Sequence, residues 1–359
     1  VEEPAISVVI PAYNRAKLIG QTLCSLLHQS LPADEIIVVD DGSTDSTAEA
    51  AEVAFSVFSR QLSASGRLPE FKVIRQENAG PGAARNRGFV ESKGGFIHFF
   101  DSDDIAALNK HEVQVRALQD TGSDIAYGPW VKGRMREYGA GNMELGASTN
   151  EGEHGAGRKR YSFEPEGHVL QQKGLPQGGL IKELLTRWSI VPQACMFRRS
   201  IIEKSCGFPD DMFVAEDQLV FLRYLLAGAR VVHTPQTLAF YRLGDAGKLT
   251  ESADGHRRRI ADWALFLERS RKECASHGIV PDKWFDFRMR LWSAQRERAA
   301  LLGLHDSSSA AAGDCVFGAV ARLRKWWGGF KVRLTGNRQN SSFRCGRMTQ
   351  AQAALFPTS

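Results

Sequence analysis

The chain has 359 residues, 43% of them hydrophobic and 24% charged, with a formal charge of +5. That balance belongs to an ordinary globular protein with a full core, and so modest a charge does not indicate a nucleic-acid partner. Six cysteines at 24, 195, 206, 274, 315 and 345 form no CxxC pair, which argues against a zinc site or disulfide scaffold and fits a reducing compartment.

Along the chain, "AISVVIPAY" is a β-branched run ended by Pro11, and "LIGQTLCSLLHQS" sets Leu18, Ile19, Leu23, Leu26 and Leu27 on one helical face. "DEIIVVDDGSTDST" repeats the scheme: a strand from Ile36 to Val39, two acids, a Gly turn, then Ser, Thr and Asp as helix caps. A helix through Ala48 to Phe58 follows, then a Ser/Gly loop near Ser63 to Pro69. "FKVIRQ" predicts a third strand, and "GPGAARNRGFVESKG" opens on a Gly-Pro-Gly turn before a short helix. Phe96 to Phe100 is the fourth strand and "DIAYGPW" the fifth. Residues 139–179 are rich in Gly, Glu and Gln without a clean period and are expected to form a long irregular insertion. "GLIKELLTRW" reads as a helix, "PQACMFRRSIIEKSCGF" as a strand and short helix, and "EDQLVFLRYLLAGARVVHTPQTLAFYRLGD" as an amphipathic helix followed by two strands. After Thr250 the pattern is helical, clearest from Ile260 to Glu273 and from Phe285 to Leu302, and the polar tail from about Leu334 is expected to be disordered.

Charge divides the chain. From Glu251 to Gln350 there are 19 Lys and Arg against 10 Asp and Glu, so the remainder is net acidic. Either the C-terminal part faces something anionic, such as phosphate or lipid headgroups, or it is a solvated helical surface. No run approaches the roughly 18 apolar residues of a membrane span. The first residues lead into a strand without the basic and apolar regions of a signal peptide, so the expected location is cytoplasmic.

Strands alternating with helices at this spacing predict a parallel α/β sheet, whose ligands bind outside the carboxyl ends of the strands. Three of those ends carry polar groups: Tyr13–Asn14–Arg15 just beyond Pro11, Asp40–Asp41, and Asp101–Asp103–Asp104. A D-x-D triplet alone is weak, since roughly one arises by chance in a chain of this composition. Its weight comes from the strand that delivers it to a sheet edge, where hard oxygen ligands suit Mg²⁺ or Mn²⁺ shared with substrate phosphates. The competing reading is an Asx-rich turn capping the helix after Asn109. Asp40–Asp41 likewise reads as a strand-to-helix turn, or as a carboxylate accepting from a base edge or ribose. Tyr13 suits stacking on a flat ring, or a place in the core. Arg85 and Arg87 stand by a Gly-rich helix start that can bind phosphate, although neither G-x-G-x-x-G nor a Walker motif occurs. Glu216 and Asp217 open a helix, where acids complement the dipole, or where one of them serves as a general base.

In this order, "VVIPAYNR", "DEIIVVDDGSTDST", "ENAGPGAARNRG", "FFDSDD", "CMFRRS" and "EDQLVFLRYLLAG" resemble family 2 of the inverting glycosyltransferases, from about Ile6 to Arg242. The resemblance implies a GT-A fold, with a Rossmann-like mixed central sheet flanked by helices, over residues 1–245; residues 246–359 lie outside it and read, from their own pattern and charge, as a basic, mainly helical C-terminal extension. It implies a nucleotide-sugar donor, most often UDP-linked, a divalent metal (Mn²⁺ or Mg²⁺), and a saccharide, lipid-linked or other hydroxyl acceptor in polysaccharide biosynthesis. By position, Pro11, Tyr13, Asn14, Arg15, Asp41, Arg85 and Asp101 look like substrate-binding residues, with Tyr13 on the base, Asp41 at its edge and Asp101 near the ribose. Asp103, with Asp101 and Asp104, looks like the metal-binding DXD motif. Asp217 matches the catalytic base, with Glu216 beside it. Two departures stand out. Many relatives carry a His shortly after Tyr241–Arg242 where this chain has Gly244, so either Asp245 or Lys248 substitutes for it or the contact is absent. The Q-x-x-R-W motif of processive polymerases is also missing, which implies single additions. The basic helices after Thr250 are expected to receive the acceptor or to make peripheral contact with anionic membrane. Two other readings of the same cleft are a nucleotidyltransferase and a non-catalytic sugar-nucleotide binder.

Overall fold

The computed structural model describes residues 5–62, 67–138, 160–167, 169–170, 174–186, 188–244 and 253–302. The first half alternates strands and helices: β1 (Ile6–Ala12), α1 (Ile19–Leu27), β2 (Glu35–Asp41), α2 (Thr47–Leu62), β3 (Glu70–Gln76), α3 (Pro81–Glu91) and β4 (Phe96–Phe99). Next come β5 (Ile105–Ala106), α4 (Lys110–Thr121), β6 (Ile125–Tyr127), β7 (Trp130–Tyr138), β8 (Arg160–Pro165), α5 (Leu180–Thr186) and β9 (Cys195–Arg198). The last described elements are α6 (Arg199–Glu203), α7 (Glu216–Leu226), β10 (Val231–His233), β11 (Ala239–Arg242), α8 (Ala253–Ser276) and α9 (Lys283–Leu302).

Seven strands form the central sheet in the order β10-β6-β9-β4-β1-β2-β3. β1, β2, β3 and β4 run parallel, and both β1 and β2 are buried at every position because helices cover both faces. Their residues therefore sort by alternation: Ile6, Val8 and Ile10 join α1 and α4 in one core, while Val9, Ile97 and Phe99 face α7 and α8 in the other. The pattern predicted a parallel sheet, but β9 enters antiparallel between β4 and β6, pairing Phe197 with both Ile97 and Ile125. The sheet is thus mixed, as the family resemblance implies. A strand as short as Cys-Met-Phe-Arg reads alike in either direction, and its sense follows from where the chain re-enters after α5.

A second sheet, β5-β11-β7-β8, stands beside the first. β8 falls within the stretch expected to be irregular: Arg160–Pro165 pairs antiparallel with Gly133–Tyr138, and Phe163 packs edge-on to Phe240. Residues 139–159 of that stretch lie outside the described residues, as do Asp245, Lys248 and the tail from Leu334.

Close approach of α3 to the sheet depends on Gly88, where a Cβ would sit 2.3 Å from Val9 Cγ1. The C-terminal helices share the α7 side of the core, to which they contribute Phe266, Leu267, Phe285 and Trp292. No described helix is long and apolar enough to cross a membrane.

Candidate functional site

A cleft of about 710 Å³ opens at the carboxyl ends of β1, β2 and β4. Pro11, Tyr13, Arg15, Asp41, Arg85, Asp101, Asp103, Glu216 and Asp217 all line it, so residues spread over more than 200 positions of sequence meet in one place. Asn14 and Asp104 do not.

At the end of β1, Tyr13 is 42% exposed, which excludes a place in the core and presents its ring to the cleft. Asn14 follows with φ 53, a left-handed conformation that Asn tolerates better than most residues. Its Oδ1 accepts the Thr44 N–H at 2.8 Å and its own N–H donates to Ser43 Oγ at 2.9 Å. This residue therefore staples the β1 loop to the turn after β2.

Asp41 is 3% exposed, and its carboxylate organises the loop before α3. Oδ1 accepts from Gln76 Nε2 at 2.8 Å and the Ala79 N–H at 2.9 Å, and Oδ2 accepts the Gly80 N–H at 2.8 Å. Of about four acceptor positions on a carboxylate, one on Oδ2 is left for a ligand.

The acidic turn after β4 is held from two sides. The Thr22 hydroxyl of α1 lies at 3.0 and 2.9 Å from the Ser102 and Asp104 carbonyls, and Arg242 of β11 donates from Nε to the Asp103 carbonyl at 2.6 Å. Asp104 is fully buried: Oδ1 accepts the Arg242 N–H at 2.9 Å and Oδ2 accepts from Gln193 Nε2 at 2.6 Å. Asp104, named above as a metal ligand, thus ties the acidic turn to the second sheet through both oxygens and has no accessible surface. Asp103 turns the other way, into the cleft, with Oδ2 3.4 Å from Arg15 Nε.

Arg85 links the two sides of the cleft. Its buried guanidinium donates from Nη2 to Asp101 Oδ1 at 2.8 Å and from Nη1 to Glu216 Oε1 at 2.7 Å, and it lies over the Phe208 ring at 5.2 Å. Burial disfavours its charge, but Asp101 and Glu216 more than offset this and hold its pKa above the ordinary value. Glu216 and Asp217 open α7 directly after Ala215, whose φ of 62 is left-handed without being glycine. Burial raises the Glu216 carboxyl above its ordinary range, and the neighbouring Asp217 charge adds to this against Arg85. Asp217 is also raised by burial, with Arg85 opposing. Unlike Glu216 it is partly exposed to the cleft, and Oδ1 accepts only the Gln218 N–H, at 2.7 Å.

Other lining residues carried no sequence signal. From the second sheet come Trp130, Lys132 and Tyr241, with Lys132 Nζ 5.8 and 5.5 Å from the two ring centres. Phe213 comes from the segment before α7, and α8 supplies Arg258 and Trp263. The register of β7 against β11 sets Tyr241 opposite Lys132. Gly244, where the resemblance implies a His, has φ 81, and a Cβ there would meet Arg134; a side chain at that position would be strained.

The described residues contain no group of three or more His, Cys, Asp and Glu able to hold a metal. Asp101 and Asp103 nonetheless fit a hard cation of the Mg²⁺ or Mn²⁺ type, which uses one or two carboxylates and completes its shell with water and substrate phosphate.

Comparison with known proteins identifies the family. The family model described as Glycosyl transferase family 2 matches residues 7–205. Glycosyltransferase EpsH of Bacillus subtilis is 41% identical over 120 residues, 33% of this chain and 32% of that one. Glycosyltransferase GlyG of Streptococcus pneumoniae is 36% identical over 124 residues, 34% and 38% of the respective chains. The chain thus spans about a third of the length of these curated relatives. Among solved structures, a mannosyltransferase from Pyrobaculum calidifontis, in complex with GDP-Man and Mn²⁺, matches with a TM-score of 0.53 and 17% identity, covering 91% of this chain and 84% of that one. Residues 1–349 of Staphylococcus aureus TarS match with a TM-score of 0.51 and 20% identity, covering 85% and 77%. At these identities the structural matches concern the fold, which is GT-A.

Proposed function

Because the chain belongs to glycosyl transferase family 2, whose model matches more than half of it, we propose that it moves a sugar from a nucleotide-sugar, UDP-linked, to an acceptor hydroxyl with inversion. The observation that carries this reading is the Asp101–Arg85–Glu216 bridge, which joins a strand-end acid to the first turn of α7 across a cleft lined by Tyr13, Asp103 and Asp217. TarS has been solved with UDP-GlcNAc and the Pyrobaculum mannosyltransferase with GDP-Man and Mn²⁺, which supports a nucleotide-sugar donor and a metal.

In this reading the Tyr13 ring packs on the base and the free acceptor position of Asp41 Oδ2 takes a base N–H. Asp101 lies near the ribose and diphosphate, with Arg85 holding it in place. Asp217, partly exposed and raised in pKa, takes the proton of the acceptor hydroxyl. The acceptor oxygen bonds to the anomeric carbon as the bond to the diphosphate breaks, and the nucleoside diphosphate leaves with the electron pair. Asp103 and Asp101 would hold a divalent cation, which would supply positive charge against the leaving diphosphate. Arg15, beside Asp103, adds a fixed charge at the same end of the cleft. The acceptor, a saccharide, lipid-linked or other hydroxyl, enters past α8. A cytoplasmic location, peripheral contact with anionic membrane, and a catalytic unit over 1–245 with an extension over 246–359 go with this proposal, amended in that Arg258 and Trp263 of the extension line the cleft.

Nucleotide release from a panel of UDP- and GDP-sugars with Mn²⁺ or Mg²⁺ tests it. Asp103→Ala and Asp217→Asn are each expected to lower turnover at least about 100-fold. Full turnover in both would refute the roles assigned.

A further inference from the structure

α8 lies beyond residues 7–205, the part that carries the family match. It nevertheless grips the segment that leads into α7 at several points. Asp262 Oδ2 accepts the N–H groups of both Phe213 and Val214 at 2.9 Å. Arg269 pairs with both oxygens of Asp211, and Arg258 lies 4.5 Å over the Phe213 ring. On its other side the Phe213 ring abuts Gly80, where a Cβ would come within 2.9 Å of Cε1. The turn at 213–214 is therefore clasped between α8 and the loop that Asp41 organises.

The strained residue comes directly after that turn. Ala215 takes a left-handed φ as the cap of α7, and Glu216 and Asp217 come immediately after. Such a conformation persists only where neighbours over-determine it. The Arg269–Asp211 pair is half-exposed and contributes little hold. The Asp262 bonds are different in kind: the residue is 8% exposed, and both bonds to its carboxylate are made one or two residues before Ala215.

We propose that Asp262 is a positioning residue for the Glu216–Asp217 pair, holding the 213–214 turn so that Ala215 stays left-handed and Asp217 faces the cleft. This rests on the reading of Asp217 as base. It extends the active site into α8: the helix that supplies Arg258 and Trp263 to the cleft wall also sets the aim of the base. Displacement of a catalytic group by about 1 Å can cost on the order of 100-fold in rate, so loss of this anchor acts on kcat.

The test measures nucleotide release from the donor of the panel that turns over, together with amide hydrogen exchange at Phe213 and Val214. Asp262→Ala is expected to lower kcat about 10- to 100-fold with the donor KM within about twofold, and to speed exchange at both amides at least about tenfold. Asp262→Asn keeps an acceptor oxygen in place and is expected within about threefold of the wild type. Asp262→Glu carries the same charge on a longer stem and is expected to lose at least about tenfold in kcat at unchanged Tm. Arg269→Gln breaks a tie of α8 that does not touch the turn and is expected to leave kcat unchanged. Should the Ala variant fail to fold, the Asn and Glu variants decide: equal rates for these two overturn the proposal. A fall in Arg269→Gln matching that in Asp262→Ala also overturns it, by showing general undocking of α8. Wild-type turnover in Asp217→Asn would instead remove the base reading, while the exchange rates would still report whether Asp262 holds the turn.

Discussion

Removing the Arg85 charge, as in Arg85→Gln, whose shorter side chain also ends two bonds before the guanidinium Nη atoms, leaves two carboxylates facing one another across the cleft. Arg85 and Glu216 have side-chain exposures of 5% and 8%, against 26% for Asp101, so most of the cost falls on Glu216. Breaking one side of a buried pair costs about 3–5 kcal/mol. At about 2 °C per kcal/mol for a domain of this size, Tm is expected to fall about 6–10 °C. The sign of the pH dependence follows from Glu216. Its carboxyl is already raised above the ordinary 4.5 by burial and by Asp217, and Arg85 is the largest influence pulling it down. A raised carboxyl destabilises the fold as pH climbs from its unfolded value through its folded one. Without Arg85 it rises further, and the two proteins differ in titration only above the wild-type value of about 8, so the variant's deficit is smaller at about pH 7, where Glu216 is protonated in both, than at about pH 9.5. Urea denaturation of both proteins at the two pH values measures this. A deficit equal at both, or larger at the lower pH, would refute the view that Arg85 serves to hold Glu216 ionised.

Three further outcomes are expected. Ala215→Gly relieves a left-handed alanine worth about 1–2 kcal/mol, less the entropy a glycine adds to the unfolded chain, for a net gain of about 0.5–1 kcal/mol in urea denaturation; a loss would show that Ala215 is not strained. Gly88→Ala drives a methyl to 2.3 Å from Val9 Cγ1 and is expected to destabilise by about 1–3 kcal/mol with nucleotide affinity unchanged by calorimetry; a neutral effect would mean α3 can retreat from the sheet freely. Since Asp217 must be ionised to act as base and is held above its ordinary 3.8, kcat/KM is expected to fall as pH drops through the raised value, well before the normal Asp range. An activity profile flat down to about pH 4 would exclude it.

Local order was legible along the chain because its causes are local. The alternation of Val8 and Ile10 against Val9, the Gly-Pro-Gly start of α3 and the acids closing β2 and β4 are short-range patterns, and they led to the right strands and the right three strand ends. Adjacent acids were another matter. Nothing in "DSDD" distinguishes Asp103 from Asp104; Asp104 turns inward because Gln193 and Arg242, 89 and 138 residues away, take its two oxygens. Asn14 and Asp41 show the same limit, since a polar side chain at a strand end reads alike whether it meets a ligand or a neighbouring loop.

By itself, then, the sequence determined the family, the parallel half of the sheet and the cleft acids, all of which follow from periodicity and short motifs. Tertiary structure alone decided the antiparallel sense of β9, the strand hidden at Arg160–Pro165, and that Asp103 rather than Asp104 faces the cleft. It also decided that Asp262, 45 residues beyond Asp217, holds the turn before it. The physical reason is common to all of these: a buried polar group must find a partner, and the partner is chosen by packing between distant segments that no local pattern encodes.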